Sequence, residues 1–355
     1  MRPLIKLMKR ALALACLLSL CLSLFACHRN KTQRFSATTL EYFDTVCVIY
    51  GYEKDRAAFN LVADEVFAKL EYYHKLFDIY REYDGITNAA TLNHYAGNGE
   101  FFEVDKPLYD LLALGKEMYT LTGGAMNIAM GSVLSIWHNY REAGINYPDV
   151  AAIPTEAELA AASMHTSIEA LELEPNGSLA RLADPDASLD FGALAKGYAA
   201  DLIMRFLREE GYENGYAVSL GGNVATLGKR GDEQPFTVGI ENPLDAANYV
   251  ARLSLTNASL VTSGSYQRYY TVNGQTYHHI IDPETLYPAD KGYISVSVYC
   301  ESSALADALS TALFILEQEA GLALIESIEG AEALWLYENG TVARSSGFAQ
   351  YEIQN

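Results

Sequence analysis

The chain has 355 residues, half of them hydrophobic and a fifth charged, with 26 Gly, 10 Pro and 5 Cys; this composition excludes disorder, collagen-like repeats and small disulfide scaffolds. Acidic residues outnumber basic ones 45 to 25, a net charge of −20 that deepens to −24 without the first 27 residues. Such a body repels phosphate backbones and excludes general nucleic-acid binding; a phosphate-bearing small molecule needs a metal ion or oriented backbone N–H groups to offset the field.

The chain opens with Arg2, Lys6, Lys9 and Arg10, followed by the apolar run 11–26. That is the basic and hydrophobic layout of an export signal. The run ends Leu24-Phe25-Ala26-Cys27, similar to a bacterial lipobox, which predicts lipidation at Cys27 and an extracytoplasmic, membrane-anchored chain. No later stretch is long and uncharged enough to span a bilayer as a helix. The expected organisation is a signal over 1–27, a tether over 28–36 and one domain over 37–355.

Residues 41–52 (EYFDTVCVIYGY) read as a strand. Over 55–77, Phe59, Val62, Val66, Phe67 and Leu70 recur at helical spacing. Residues 80–99 are loop-rich. Pro107 opens a helix that Gly123-Gly124 ends, and 147–163 is a connector with a short helical piece. Residues 188–191 read as a strand end and 192–211 as a long helix. Strands follow over 216–220, 236–240 and 250–255. Segments 269–272 and 275–281 flank Asn273-Gly274, a strong hairpin signal. A strand over 293–300, helices over 303–316 and 321–328, and a hairpin of 333–337 with 341–344 complete the chain. Hairpins mixed with helices predict an α+β fold with a largely antiparallel or mixed sheet and packed helices. Cys47 and Cys300 lie in strand-like runs; a disulfide and two buried thiols are both compatible with the sequence.

Four segments carry candidate chemistry. Asp190-Phe191-Gly192-Ala193-Leu194-Ala195-Lys196 leads through small residues into a helix, whose N-terminal N–H groups suit phosphate; Asp190 is placed as N-cap or polar anchor. Ser219-Leu220-Gly221-Gly222-Asn223 is a second Gly-rich turn, without Rossmann or Walker spacing. Thr262-Ser263-Gly264 precedes an aromatic run, and Tyr277-His278-His279-Ile280-Ile281-Asp282-Pro283 closes the hairpin. Strand alternation points His278 and His279 apart, so they do not chelate one ion; His279 is a candidate general base. Asp307 and Thr311 lie four apart on one helix face. A carboxylate with a hydroxyl suits a hard cation, Mg²⁺ above all.

The ordered set of FDT at 43–45, GGAMNIAMGSVLSIW at 123–137, DFGALAKGYAAD at 190–201, LGGN at 220–223, VGIENP at 238–243, TSG at 262–264, HHIIDPETLYP at 278–288 and ADALSTALF at 306–314 resembles the ApbE family of FAD:protein FMN transferases. The resemblance implies FAD as substrate, Mg²⁺ at its pyrophosphate, and transfer of FMN to a Thr or Ser hydroxyl of an acceptor flavoprotein with release of AMP. The acceptor would be a membrane redox subunit or another extracytoplasmic flavoprotein. The metal ligands implied are the Ala193 carbonyl, Asp307 and Thr311. The FAD contacts implied are Phe43, Asn127, Ile128, Ala129, Asp190, Lys196, Gly221, Gly222, Ser263, His279 and Ile281, with His279 and Asp307 catalytic. Asn127 stands where many relatives have Asp, Phe43 where many have Met, Leu286 where Gly is common, and Ser310 where some have Asp. An FAD pyrophosphatase with water as nucleophile, and a non-catalytic FAD-binding lipoprotein, are the alternatives.

Overall fold

The computed structural model describes residues 32–354; the expected signal, Cys27 and residues 28–31 of the tether lie outside the described residues. Strand β1 (Gln33–Thr39) pairs antiparallel with β2 (Cys47–Glu53). Residues 33–36, expected as tether, are therefore part of the folded body, and the strand expected over 41–52 is confined to its second half. Between the two strands, Phe43 and Asp44 adopt left-handed φ of 57° and 48°.

Helix α1 (Arg56–Phe77) is capped by Asp55, whose Oδ1 accepts from the Ala58 N–H at 2.8 Å, and it buries Phe59, Val62, Val66 and Leu70 as its periodicity predicts. The expected loop 80–99 contains a short helix, α2 (Ala89–His94), closed by a capping box of Asn88 and Thr91. After β3 (Phe102–Glu103) comes α3 (Lys106–Leu121), with Pro107 in its first turn. Helices α4 (Gly131–Asn146) and α5 (Glu156–Ser163) lead to β4 (Leu171–Glu174) and β5 (Leu179–Leu182), which form a small sheet with β3. In place of a strand at 188–191 there is one bridge between Ser188 and Met130. Helix α6 (Ala195–Glu209) begins three residues later than expected.

The remainder comprises β6 (Tyr216–Leu220), β7 (Asn223–Leu227), β8 (Phe236–Glu241), β9 (Tyr249–Leu255), β10 (Ser259–Gly264), β11 (Tyr269–Val272), β12 (Gln275–His278), β13 (Tyr293–Cys300), α7 (Ser303–Ile315), α8 (Gln318–Glu326), β14 (Glu332–Tyr337) and β15 (Val342–Arg344). Eight strands form one sheet, ordered β1-β2-β6-β7-β10-β13-β14-β15. Every neighbouring pair is antiparallel. The expected α+β class is what the chain adopts.

Period-two alternation divides each strand between two cores. Tyr216, Val218 and Leu220 of β6 join the core that holds α1 and α6, while Ala217 faces the β8–β9 ribbon and Phe348. Val296 and Val298 of β13 pack with Leu309, Leu313 and Phe314 of α7. Each of those three α7 side chains is at most 1% exposed, contributing about 1.5–3 kcal/mol of burial apiece. Helix α7 is apolar nearly all round because it lies between α6 and the sheet.

The sheet order also settles the thiols. Cys47 on β2 and Cys300 on β13 are four strand spacings apart, roughly 19 Å at about 4.8 Å each. A disulfide needs Cα atoms within about 7 Å; both cysteines are free and buried.

Candidate active site

The layers leave a cavity of about 430 Å³ where the β1–β2 turn, α4, the entry to α6, the end of β10, the segment after β12 and α7 converge. Each wall has a local cause. The Asp190 N–H donates to the Ile128 carbonyl at 2.8 Å and the Gly131 N–H to the Ser188 carbonyl at 2.9 Å, fixing the loop that precedes α6. Asp190 Oδ1 then accepts from the Gly192 N–H at 2.7 Å. Asp190 is thus a polar anchor of the turn; Leu194 holds the cap position without a side-chain cap. Burial pushes the Asp190 carboxyl up, opposed by the Gly192 N–H and by the charges of His138, Lys196 and Arg268.

Helix α6 meets α7 at Gly197. Its N–H donates to Asp307 Oδ2 at 2.9 Å. A Cβ on Gly197 would sit 2.3 Å from the Ser303 carbonyl oxygen and 2.6 Å from Asp307 Cβ, so only glycine permits this approach. Lys196 Nζ bonds to the Gly192 carbonyl at 2.9 Å and lies 3.6 Å from Asp307 Oδ2. One turn along α7, Thr311 Oγ1 lies 3.2 Å from Ser263 Oγ, which is 2.8 Å from Ser310 Oγ. Ala193, Asp307, Thr311 and Ser263 all line the cavity.

Strand β12 ends at His278, so His279 to Ile281, which also line the cavity, leave the strand expected over 275–281. The two histidines do different work. His278 Nε2 contacts the Ala289 carbonyl and its ring meets Phe314 edge-on, outside the cavity lining. His279 lines the cavity, with Nδ1 3.2 Å from the Arg268 carbonyl oxygen. A carbonyl only accepts, so Nδ1 carries the proton and Nε2 keeps its lone pair. Removal from water, then the charges of Arg268, His278 and Arg141, push the His279 pKa down to about 3; the imidazole is neutral at physiological pH.

Of the remaining FAD contacts expected, Phe43, Asn127, Ile128, Asp190, Lys196, Gly221 and Ile281 line the cavity, and Ala129 and Gly222 do not. Ala129 is fully buried and gives its N–H to Asn127 Oδ1 at 2.9 Å. Asn127 also donates to the Thr166 carbonyl at 2.9 Å, so its amide ties the loop before α4 to the segment after α5. Gly221 and Gly222, with φ of 61° and 93°, make the two-residue turn of the β6–β7 hairpin. Gly221 packs on Thr45, whereas Gly222 faces open space.

Sequence reasoning missed Trp137, His138 and Arg141, which α4 brings to the cavity, and gave no role to Arg268 or Asn223. Val133 and Trp137 one turn apart are the available helix signal, diluted because the half-buried Leu134, Ile136 and Tyr140 spread apolar residues beyond that face. Asn223 is 2% exposed and lines the cavity, and its Nδ2 has no protein partner. A buried donor left open in a cavity wall fits a ligand oxygen. Elsewhere, His165, Asp184 and Asp186 converge at the surface, and none of them lines the cavity.

The sequence profile described as the ApbE family matches residues 43–335. The chain belongs to the ApbE family. Among relatives, the FAD:protein FMN transferase of Treponema pallidum is 33% identical over 90% of this chain and 89% of its own length. That of Klebsiella pneumoniae is 30% identical over 89% and 93%. The ApbE protein of Thermotoga maritima superposes with a TM-score of 0.79 at 26% identity, covering 91% of this chain and all of that one. The flavin transferase ApbE of Vibrio cholerae gives 0.75 at 25% identity, covering 90% and 99%. The match to the ApbE family thus spans nearly every segment that builds the cavity.

Proposed function

We propose that this enzyme transfers the FMN moiety of FAD to a Thr or Ser hydroxyl of an acceptor flavoprotein, releasing AMP, with Mg²⁺ at the pyrophosphate. The observation that carries the reading is one cavity bounded by an oxygen donor set and a neutral imidazole: Ala193, Asp307 and Thr311 with His279. A carbonyl, a carboxylate and a hydroxyl are hard donors that suit Mg²⁺. Asp307 Oδ2 is already held by the Gly197 N–H, leaving Oδ1 for the ion. When bound, Mg²⁺ would neutralise pyrophosphate charge and polarise phosphorus.

The chain's own residues supply the rest. Lys196 and the N-terminal end of α6 offset phosphate charge inside an acidic protein. The Arg268 carbonyl sets the tautomer of His279, whose Nε2 takes the proton of the acceptor hydroxyl as that oxygen bonds to phosphorus. The bond from phosphorus to the AMP oxygen breaks, and AMP leaves. The Phe43 ring, edge-on to His74 at 5.7 Å, offers an apolar wall. Cys27 would carry the lipid, with residues 28–32 between it and β1 holding the domain at the outer face of a membrane, where redox-subunit acceptors reside.

Incubation with FAD, Mg²⁺ and a candidate acceptor, read by intact-protein mass, tests the reading. The expected result is an FMN adduct that EDTA prevents and Asp307→Asn abolishes. Soluble FMN formed at the same rate without acceptor would replace transfer by hydrolysis; unchanged turnover in Asp307→Asn would remove the metal assignment.

A further inference from the structure

The two helices that frame the proposed metal site cap one another. Helix α6 begins at Ala195, and the Gly197 N–H in its first turn is satisfied by Asp307 of α7. Helix α7 begins at Ser303, and its first N–H groups are satisfied by Asp201 of α6. Asp201 Oδ1 accepts from the Ser303 N–H at 2.8 Å, and Oδ2 accepts from the Ala304 N–H at 3.0 Å and from Ser302 Oγ at 2.6 Å. Ser302 Oγ in turn accepts from the Leu305 N–H at 3.2 Å. Each helix thus supplies a carboxylate to the free donors of the other.

These bonds lock geometry as well as capping ends. Packing between α6 and the sheet holds α7 in its layer, but a single polar crossing contact, Gly197 to Asp307, does not by itself define its rotation and register on α6. A second carboxylate one turn away along each helix, gripping the start of α7 through three donors, sets both the rotation and the register of α7 on α6. Rotating α7 carries Asp307 and Thr311 away from Ala193 together, because both lie on one helix face. Asp201 itself does not line the cavity.

We propose that Asp201 is the positioning residue of the cation site, fixing α7 on α6 so that Asp307 and Thr311 face Ala193. The inference rests on the reading that those three residues hold the divalent cation. Groups hydrogen-bonded directly to metal ligands typically change metal affinity by about 10–100-fold when altered; Asp201 acts on the ligands through α7 and belongs at the low end of that range.

Mn²⁺ binding followed by electron paramagnetic resonance, without FAD, tests it in the full chain and in the variants D201N, S302A and D307N. In Asp201→Asn one acceptor oxygen is kept and an NH₂ is set against the Ala304 N–H. We expect the Mn²⁺ Kd to rise roughly tenfold, FAD affinity in EDTA to change less than threefold, and flavin transfer to be restored by raised Mg²⁺. Ser302→Ala, which keeps the carboxylate, should weaken Mn²⁺ binding about threefold and decides the question where Asp201→Asn does not fold. Wild-type Mn²⁺ affinity in either folded variant, with only a lowered Tm, would make Asp201 a structural cap and overturn the proposal. Wild-type affinity in Asp307→Asn would instead overturn the underlying metal assignment.

Discussion

His279 is held neutral by its surroundings, and that has a thermodynamic signature. Its ordinary pKa is 6.5, and burial with nearby cations lowers it to about 3 in the folded protein. Above pH 6.5 neither folded nor unfolded chain protonates it, so it places no pH-dependent demand on stability. Below 6.5 only the unfolded chain takes the proton, and stability falls by up to about 1.4 kcal/mol per pH unit until it levels near pH 3. Urea unfolding of wild type and His279→Gln between pH 7 and 4.5 should show the steeper acid loss in wild type. Asp190, shifted upward, acts in the opposite sense in both proteins, so the difference isolates the histidine. Leu286 has φ of 64°. Left-handed backbone costs a branched residue about 1–2 kcal/mol, close to what its half-buried side chain contributes. Leu286→Gly should therefore change stability by less than about 1 kcal/mol, far below a usual core Leu truncation; chemical denaturation would measure it.

At the scale of elements, α1 and the β11–β12 hairpin are legible in the sequence, whereas the 16-residue α4 and the short β4 and β5 are not. Helix α1 and the Asn273-Gly274 hairpin follow from periodicity and turn chemistry within one segment. Residues 33–36 of β1 fall within the expected tether because the segment from 28 is polar; pairing with β2 makes them part of a strand whose Phe35 and Ala37 pack on the core. Helix α6 starts at Ala195 because the Asp190 side chain holds Gly192 in a turn, an effect local enough to read only once its partner is known. The α6–α7 crossing depends on Gly197. Gly197→Ala should cost about 1–3 kcal/mol through overpacking and weaken Mn²⁺ binding with it, both readable on one purified variant by urea titration and metal binding.

For the whole molecule, sheet order governs what distant residues can do together. Cys47 and Cys300 were open to pairing in sequence, and their strands lie four positions apart. Burial raises both thiols, Cys47 to about 11. Native alkylation followed by peptide mapping should leave both unmodified, with full labelling after denaturation. Among the described residues no helix is long and apolar enough to cross a membrane. The acidic surface is offset locally, since Lys196, Arg141 and Arg268 all reach the cavity that the fold closes between its layers.

By itself the sequence determined the fold class and the family and named candidate donors for the site, because each rests on residues adjacent in the chain or on an ordered series of short motifs. Which of them meet was decided by tertiary structure. Asp190, His279 and Asp307 come from three separate segments, and their distances depend on helix packing and strand order. The same packing brought in Arg141 and Asn223, tied Asn127 to Thr166 and set Asp201 against the start of α7. A one-dimensional pattern encodes faces and turns; how two faces close around a cavity is fixed by side-chain volume and backbone hydrogen bonding across the whole chain.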